Sequence, residues 1–157
     1  GDYESVTVEA GVAACLEHLG CDYVLVGMGP GVVGSGTQLG QTSLECAGIV
    51  NNLVAMGASV SYALRYSAAD PRDRHKGLSH HSATNLKWMS QSVLLGVPTD
   101  FPLIDIGHPT VSADVGEIMK YLTTNSLTPK SMGRGVDDDV MFYEVTAAAA
   151  MALVNAV

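Results

Sequence analysis

Residues 21–36, CDYVLVGMGPGVVGSG, join a continuous apolar run to a loop that is rich in glycine. An apolar run of this length is typical of a strand that is buried on both faces of a parallel sheet. The segments on either side, Val8 to Leu19 and Ser43 to Met56, instead repeat apolar residues at helical spacing. Thr42, with Glu45 three residues later, predicts a cap for the second helix. Together these segments favour an α/β fold.

The rest of the chain continues the alternation of strands and helices. Residues 59–67 alternate apolar and polar side chains and predict a half-exposed strand, and residues 101–107 predict another. Further helices are predicted over 83–95, 112–125 and 138–154, with Ser112 as a cap, and a short strand or extended segment over 127–133. Repeated β-then-α units favour right-handed crossovers. We therefore expect residues 1–157 to form a single α/β domain, a three-layer sandwich with a mainly parallel, Rossmann-like sheet.

The composition argues against several classes of protein. The 157 residues are 47% hydrophobic and 15% charged, which excludes intrinsic disorder, and a net charge of −8 argues against nonspecific nucleic-acid binding. The chain lacks the run of about 18 apolar residues that a membrane span needs. Three cysteines without a CxxC spacing and the lack of a signal peptide predict reduced thiols in the cytoplasm. Because the chain does not begin with Met, we expect a processed, cleaved or truncated product, or a first residue left by a tag.

Three loops hold nearly every unusual polar residue of the chain. They lead from predicted strands towards predicted helices, at residues 28–43, 67–82 and 131–139. In open α/β sheets, ligands bind beyond the carboxyl ends of the strands, on loops of this kind. We therefore expect the three loops to share one ligand-binding edge of the sheet.

The first of these, the glycine loop at residues 28–43, matches G-x-G-x-x-G but fits neither of two established nucleotide sites. A dinucleotide site needs an acid at the end of the next strand, about 20 residues beyond the motif, and Asp70 is in the right topological place but too far along the chain. In a P-loop, a lysine would occupy the position of Thr37. Two interpretations stay open: a nest of backbone N–H groups that binds an anion, or a loop that only permits close packing. The candidate anion-binding residues are Gly29, Gly31, Gly34, Gly36 and Thr37.

The second loop, the cationic loop at residues 67–82, gathers the cations of an acidic chain. It contains ADPRDRHKGLSHHS, in which Arg72, Arg74 and Lys76 are candidates for binding a phosphate or a carboxylate. Asp70 and Asp73 lie among them, so a salt-bridged surface loop is the alternative.

Three histidines of the cationic loop are the candidate catalytic residues. His75, His80 and His81 carry imidazoles that ordinarily titrate near neutral pH and can act as general acids or bases. Asp70, His80 and His81 also form a candidate ligand set for a divalent metal such as Zn, Mn or Fe, although their spacing matches no established zinc signature. Adjacent histidines cannot share one face of a helix, so this set assumes a loop. Ser79, Ser82 and Thr84 are candidate caps for the helix that follows.

The third loop, at residues 131–139, places Arg134 between two glycines and ahead of three acids at a predicted helix start. Flanking glycines let the backbone approach a ligand closely, so Arg134 joins the candidate anion-binding residues. The acids at 137–139 suit the positive end of the helix dipole, and a magnesium-binding carboxylate cluster is the alternative.

Three segments, GPGVVGSGT, ADPRDRHKGLSHHS and SMGRGVDDD, occur in this order and extend over most of the chain. With them the chain resembles a bacterial family known as domain of unknown function 3866. The resemblance implies a longer parent protein, of which this chain is the C-terminal part. It implies no catalytic activity, cofactor or substrate.

Two functions of different classes are expected from these features. The first is a pocket, built by the three loops, for a small anionic, phosphate-bearing ligand that the chain either only binds or also converts. Its cofactor is unknown, and a divalent metal is compatible with the histidines. The second is a non-catalytic structural or interaction module that docks on the missing N-terminal region or on another subunit, as in a homo-oligomer. Neither function involves nucleic acid or a membrane.

Overall fold

The computed structural model describes residues 1–29, 31–89, 93–102 and 106–156 of the chain. Its helices are α1 (Val8–Glu17), α2 (Glu45–Ala55), α3 (His80–Trp88), α4 (Gly116–Thr124) and α5 (Val140–Val154). Its strands are β1 (Tyr66–Ser67), β2 (Gly77–Leu78), β3 (Leu95–Pro98) and β4 (Thr110–Ala113). Single 3₁₀ turns at Thr42–Leu44 and Asp73–His75 precede α2 and β2. The chain therefore mixes helices with strands, as predicted, but its strands are short.

The strand β3 lies at the centre of the fold. It pairs in parallel with β4, with Leu95 beside Thr110 at the start of the register. On its other side, the N–H of Tyr62 donates to the carbonyl of Leu94 at 3.0 Å, so residues 60–62 add a third extended segment. All of β3 is buried. A strand that is covered on both faces is apolar throughout, which accounts for the sequence LGVP.

Helix α5 packs closely on β3 because the strand carries Gly96. A Cβ atom at this position would overlap the carbonyl group of Ala148 in α5. Beside this contact, the hydroxyl of Ser61 donates to the carbonyl of Ala149 at 2.6 Å. The alanine-rich middle of α5, with Ala148 fully buried, gives the helix a flat face for the strand.

The main core lies where α2 and α3 meet β3. Ala47 and Val50 from α2 and Leu86 from α3 pack with Leu95 of β3 and Val145 of α5. A smaller cluster joins β4, α4 and α5. Burial of apolar surface, at roughly 25 cal/mol per Å², is the main source of stability for such clusters. Helix α5 contributes to both clusters and so links the two ends of the core.

The predicted helices are present, but α3 is displaced towards the N-terminus of the chain. It spans His80–Trp88, whereas the spacing predicted residues 83–95. Ser79 begins the helix, as expected of a cap, because its hydroxyl accepts from the N–H of His81 at 3.3 Å. The displacement places His80 and His81 in the first turn of the helix.

Two of the predicted caps are wrong. Ser112 lies within β4, and Asp114 instead accepts from the N–H of Gly116 at 2.9 Å, where α4 begins. The hydroxyl of Thr42 accepts from the N–H of Val33 at 3.0 Å, rather than from the first turn of α2. A side chain near a helix start can bind a loop that packs beside it, and local spacing does not reveal such a loop.

The strand predictions are confirmed only in part. Residues 59–67 form a strand only at β1, and the predicted strand at 101–107 lies partly outside the described residues. At 21–29, which is fully described, no strand forms, and Leu25 is 97% exposed because no neighbouring strand pairs with this segment. The fold is thus mixed α/β with a small parallel sheet. The Rossmann-like three-layer sandwich stays a prediction.

Candidate functional site

The cationic loop is closed by the strands β1 and β2. They pair antiparallel, with Ser67 beside Gly77 at the end nearest the loop. Gly77 has a φ of +72°, which glycine adopts without strain. The second 3₁₀ turn lies between the two strands, and α3 begins directly after β2. The hairpin therefore brings His75, in the turn, next to His80 and His81 at the start of α3.

His75, His80 and His81, here named the histidine trio, form one cluster. One ring nitrogen from each residue lies within 4.8 Å of those of the other two. The ring centroids are 4.2 Å apart between His80 and His81, 4.9 Å between His75 and His81, and 5.0 Å between His75 and His80. His75 is buried and the other two are half-buried. Adjacent histidines do meet here on a helix, because they occupy its first turn and both contact the histidine of the preceding loop.

Ser79 holds His75 in a fixed orientation. Its hydroxyl oxygen lies 2.7 Å from Nδ1 of His75 and also accepts from the N–H of His81. Because Nδ1 of His75 is engaged, Nε2 is the nitrogen left for another partner. Nε2 of His80 is buried and has no hydrogen-bond partner among the described residues. A buried polar atom in this state is costly unless a ligand supplies the missing bond.

The surroundings of the trio favour neutral imidazoles. Burial, together with the charge of Arg72, lowers the pKa of His75 to about 4. Burial and the neighbouring His80 lower the pKa of His81 to about 4. The pKa of His80 is lowered by burial and by Arg74. A neutral imidazole has a free lone pair, so it can accept a proton or bind a metal.

Asp70 gathers three arginines around one carboxylate. Its Oδ2 accepts from Arg65 at 2.7 Å, from Arg72 at 2.9 Å and from Arg134 at 3.2 Å. Its Oδ1 accepts from the backbone N–H and from Nε of Arg72, each at 3.0 Å. Asp70 is 2% exposed, and the bonds from Arg72 hold the pKa of its carboxyl far below the usual range. The carboxylate that the sequence assigned to a metal is therefore engaged in an arginine network, apart from the histidine trio.

The third loop is tied to the cationic loop through Asp139. Its carboxylate accepts from the hydroxyl of Ser67 at 2.5 Å, from the N–H of Ala68 at 3.2 Å and from Nε of Arg134 at 3.1 Å. Arg134 thus bridges Asp139 and Asp70. The side chain of Asp139 makes no cap hydrogen bond to α5. One of the acids expected to stabilise the helix start therefore also joins two loops.

The glycine loop folds as a small hairpin that is closed by a bridge between Gly34 and Gln41. The N–H of Val33 donates to a threonine hydroxyl, and the N–H of Ser35 donates to a carbonyl across the hairpin at 2.7 Å. These two donors are used within the loop, so they do not contribute to the backbone nest that the glycine pattern suggested.

Gly36 brings the tip of the glycine loop against the cationic loop. Its φ of +83° is a conformation that favours glycine, and a Cβ atom at this position would lie 3.8 Å from Nη1 of Arg74. Next to it, the hydroxyl of Thr37 accepts from the N–H of Gly40 at 3.1 Å and so shapes the turn. The two loops are therefore direct neighbours.

Two adjoining clefts lie between these loops. The smaller cleft, of about 150 Å³, is lined by the whole histidine trio together with Arg72 and Arg74. The larger cleft, of about 370 Å³, extends along α3 to Lys87. Gly36, Arg74 and His80 border both clefts. Small-molecule pockets commonly measure about 300–1,000 Å³, so the larger cleft has the size for a small ligand.

The clefts collect most of the residues that the sequence singled out. The predicted site residues that line them are Gly34, Gly36, Thr37, Arg72, Arg74, His75, His80 and His81. Asp70 and Arg134 lie in the arginine network, which reaches the smaller cleft through Arg72. Gly29, Gly31 and Lys76, which are all described, line neither cleft.

Two cations near the site were missed by sequence reasoning. Arg65 binds Asp70, and it is the single basic residue of the segment 59–67 that leads into the cationic loop. Lys87 lines the larger cleft and lies seven residues after His80. Residues at that spacing share one face of a helix, so a correct start for α3 would have placed Lys87 beside the histidines.

Comparison with known proteins places the chain next to one family. The sequence model of the family described as "Protein of unknown function (DUF3866)" matches residues 1–150. No curated protein and no solved structure matches the chain. In the described part of the chain, none of the helices has the length and apolar character that a membrane span requires.

Proposed function

The chain belongs to the DUF3866 family, and since the description of that family states no activity, we propose a function from the geometry of the clefts. The proposed function is the binding of a small phosphate-bearing anion between the glycine loop and the cationic loop. The histidine trio, which lines the smaller cleft, lies where it could act on the bound molecule.

Arg74 is the observation that carries the proposal. Arg65, Arg72 and Arg134 all bind Asp70, whereas Arg74 forms no ion pair with any described residue. Arg74 is exposed and borders both clefts. A guanidinium presents paired donors that match the oxygens of a phosphate. A cation at a cleft without an internal partner is therefore the group that an anionic ligand would contact first.

Other groups around the clefts support an anion. Lys87 adds a second positive charge to the larger cleft. The first turn of α3 carries His80 and His81, so the partial positive charge of the helix start lies next to the site. A chain with a net charge of −8 thus keeps a local positive region. The global charge instead disfavours long anionic polymers, which is why a small ligand fits better than nucleic acid.

The trio gives the proposed site one class of chemistry, the hydrolysis of a phosphate ester. A neutral imidazole can take a proton from water as the water oxygen attacks phosphorus. The bond between phosphorus and the ester oxygen then breaks on the opposite side of phosphorus, the leaving alkoxide takes a proton from solvent, and the imidazolium releases its own proton to solvent. Binding is the primary proposal, and this reaction depends on it.

The binding proposal is tested by titrating the full chain with inorganic phosphate and with a nucleoside monophosphate in a calorimeter. Arg74→Ala should weaken binding by about tenfold or more, since a charge-assisted hydrogen bond contributes about 1.5–3 kcal/mol. Lys120→Ala, at an exposed residue of α4, removes the same charge elsewhere and should bind as the wild type does. The proposal is wrong if neither anion binds the wild type, or if Arg74→Ala binds as tightly.

A second proposed function, docking of another chain, is favoured by exposed apolar residues within 21–29. Tyr23, Leu25 and Val26 are 46%, 97% and 41% exposed. The same segment reads as a buried strand, and a strand needs a neighbour to bind its backbone groups. We propose that a second copy of this chain pairs with the segment, because two identical strands can pair antiparallel around a two-fold axis. The Rossmann-like, three-layer sandwich predicted from the sequence also requires residues 21–29 to form a strand, so we propose it together with the dimer.

The docking proposal predicts a dimer in solution. Light scattering after size-exclusion chromatography should give twice the chain mass for the wild type and the mass of one chain for Leu25→Asp. Leu127→Asp changes a residue that is 47% exposed outside the segment and should remain dimeric. A wild type that stays monomeric at every concentration contradicts the proposal.

A further inference from the structure

We propose that the histidine trio binds one divalent transition-metal ion of the zinc class and leaves a fourth coordination position open to the smaller cleft. The ligand nitrogens lie within 4.8 Å of one another. In a tetrahedral site with zinc–nitrogen bonds of about 2.1 Å, they would be about 3.4 Å apart. The inference requires the imidazoles of His80 and His81 to rotate towards His75, which Ser79 holds in place. The set takes His75 in place of the Asp70 that the sequence had suggested.

The available nitrogen atoms point to a missing partner. Nε2 of His80 is buried without a hydrogen-bond partner among the described residues, although a histidine in a packed site normally finds one. An imidazole nitrogen that carries no proton offers the lone pair that a metal needs. A metal ion would use this lone pair on all three rings at once, so the proton transfer to an imidazole proposed above applies to the chain without a metal ion.

Ser79 has the position of an outer ligand that orients an inner one. It lies 2.7 Å from Nδ1 of His75 and is completely buried. In the metal-bound state, Nδ1 carries the proton and donates to this hydroxyl, which leaves Nε2 for the metal. Histidine ligands of metals almost always have such a partner on the second nitrogen. The bond between Ser79 and Nδ1 of His75 is therefore expected if His75 is a metal ligand. A serine that only caps the helix would need no more than its bond to the N–H of His81.

The donor set and the surrounding charges select the metal and its fourth ligand. Three imidazoles with an open position are typical of catalytic zinc and suit related first-row ions such as cobalt. The group contains no thiolate or carboxylate among the described residues, and Arg72 and Arg74 lie beside it. A bare cation is opposed by these guanidiniums, so the fourth ligand should be an anion. Its identity as a phosphate oxygen rests on the proposed function, whereas metal binding itself does not.

The test is to titrate the chelator-treated full chain with Zn²⁺ in a calorimeter and with Co²⁺ in the visible spectrum. We expect one ion per chain and the absorption bands of tetrahedral Co²⁺. His80→Gln and His81→Gln should weaken binding by about tenfold or more, and Ser79→Ala should do so by about tenfold, as for other partners of metal ligands. His18→Ala, at an exposed histidine that caps the end of α1, is the matched control and should bind normally. Circular dichroism checks that each variant folds.

Two outcomes would overturn the inference: no stoichiometric binding of either ion, or equal binding by the wild type and both glutamine variants. Failure of the metal site is separable from failure of the anion site. Zn²⁺ is titrated without phosphate and into Arg74→Ala, where the inference predicts that it still binds. Phosphate is titrated with chelator present, where the anion proposal alone predicts binding. If phosphate is the fourth ligand, its presence should raise the affinity for Zn²⁺.

Discussion

Asp70 is the residue that links the cationic loop to the third loop by charge. Arg65, Arg72 and Arg134 each place a positive charge within hydrogen-bond distance of the same carboxylate oxygen. Without that oxygen the three guanidiniums would repel one another. Asp139 would compensate only the charge of Arg134. The network therefore leaves Arg74 as the arginine of the loop that is available to a ligand, because Arg65, Arg72 and Arg134 have an internal partner.

Asp70→Asn should lower the free energy of unfolding by about 3 kcal/mol, because removal of one partner from a buried ion pair leaves uncompensated charge. Urea unfolding followed by circular dichroism measures this change. Asp22→Asn, at an exposed residue, should change the stability by less than about 0.5 kcal/mol. Similar small changes for the two variants would contradict a stabilising role for Asp70.

The stability difference between the wild type and Asp70→Asn should depend on pH. The pKa of Asp70 is lowered in the folded chain, chiefly by Arg72, so its stabilisation is complete above the unfolded pKa of about 3.9 and is lost as the pH falls below it. The difference in unfolding free energy between the wild type and Asp70→Asn should be constant above about pH 5 and should shrink below about pH 4. Carboxyl groups outside the arginine network titrate alike in both proteins and cancel. A difference that does not shrink in acid would count against the ion pairs.

At the scale of single elements, α3 shows what sequence can and cannot supply. The residue types alone predict a site at His75, His80 and His81. Their arrangement was not predictable, because it depends on Ser79 starting the helix three residues earlier than the apolar spacing indicated. Capping serines are common and weakly specific in sequence. The distance between His75, in the turn, and the two histidines of α3 is set by tertiary packing, which the sequence pattern does not reveal.

The close contact between β3 and α5 predicts how substitutions of glycine change the stability of the chain. Gly96→Ala should destabilise the chain by about 3 kcal/mol or more, because the new Cβ would overlap the backbone of Ala148 and α5 would have to move. Gly48→Ala, inside α2, meets nothing within 4 Å and should stabilise by about 0.5–1 kcal/mol through helix propensity. Thermal and urea unfolding of both variants test this. Equal effects would contradict the close approach of α5 to β3.

At the scale of the whole molecule, the sequence predicted that the three loops lie together but not how they meet. The three loops were expected to share one edge of a large sheet. In the structure, the first two lie side by side at Gly36 and Arg74, which border the same clefts, and the third is joined through Asp139 and Ser67. The sheet itself was harder to predict, because periodicity reports which residues could be buried and not whether a partner is present. The strongly apolar 21–29 forms no strand, whereas the short LGVP of β3 does.

The bonds that join the third loop to the cationic loop also bear on the order of folding. They connect Ser67 to Asp139 and Asp70 to Arg134, across 72 and 64 positions of the chain. Contacts between such distant positions form late, because closing a long loop costs chain entropy before any contact repays it. A nascent chain that has emerged only as far as α4 already contains every histidine of the trio but not the residues that fix the base of their loop. Synthesis of residues 131–139 and assembly of the loop's base are therefore coupled, so a chain that ends at α4 should have little affinity for a ligand that residues 1–157 hold.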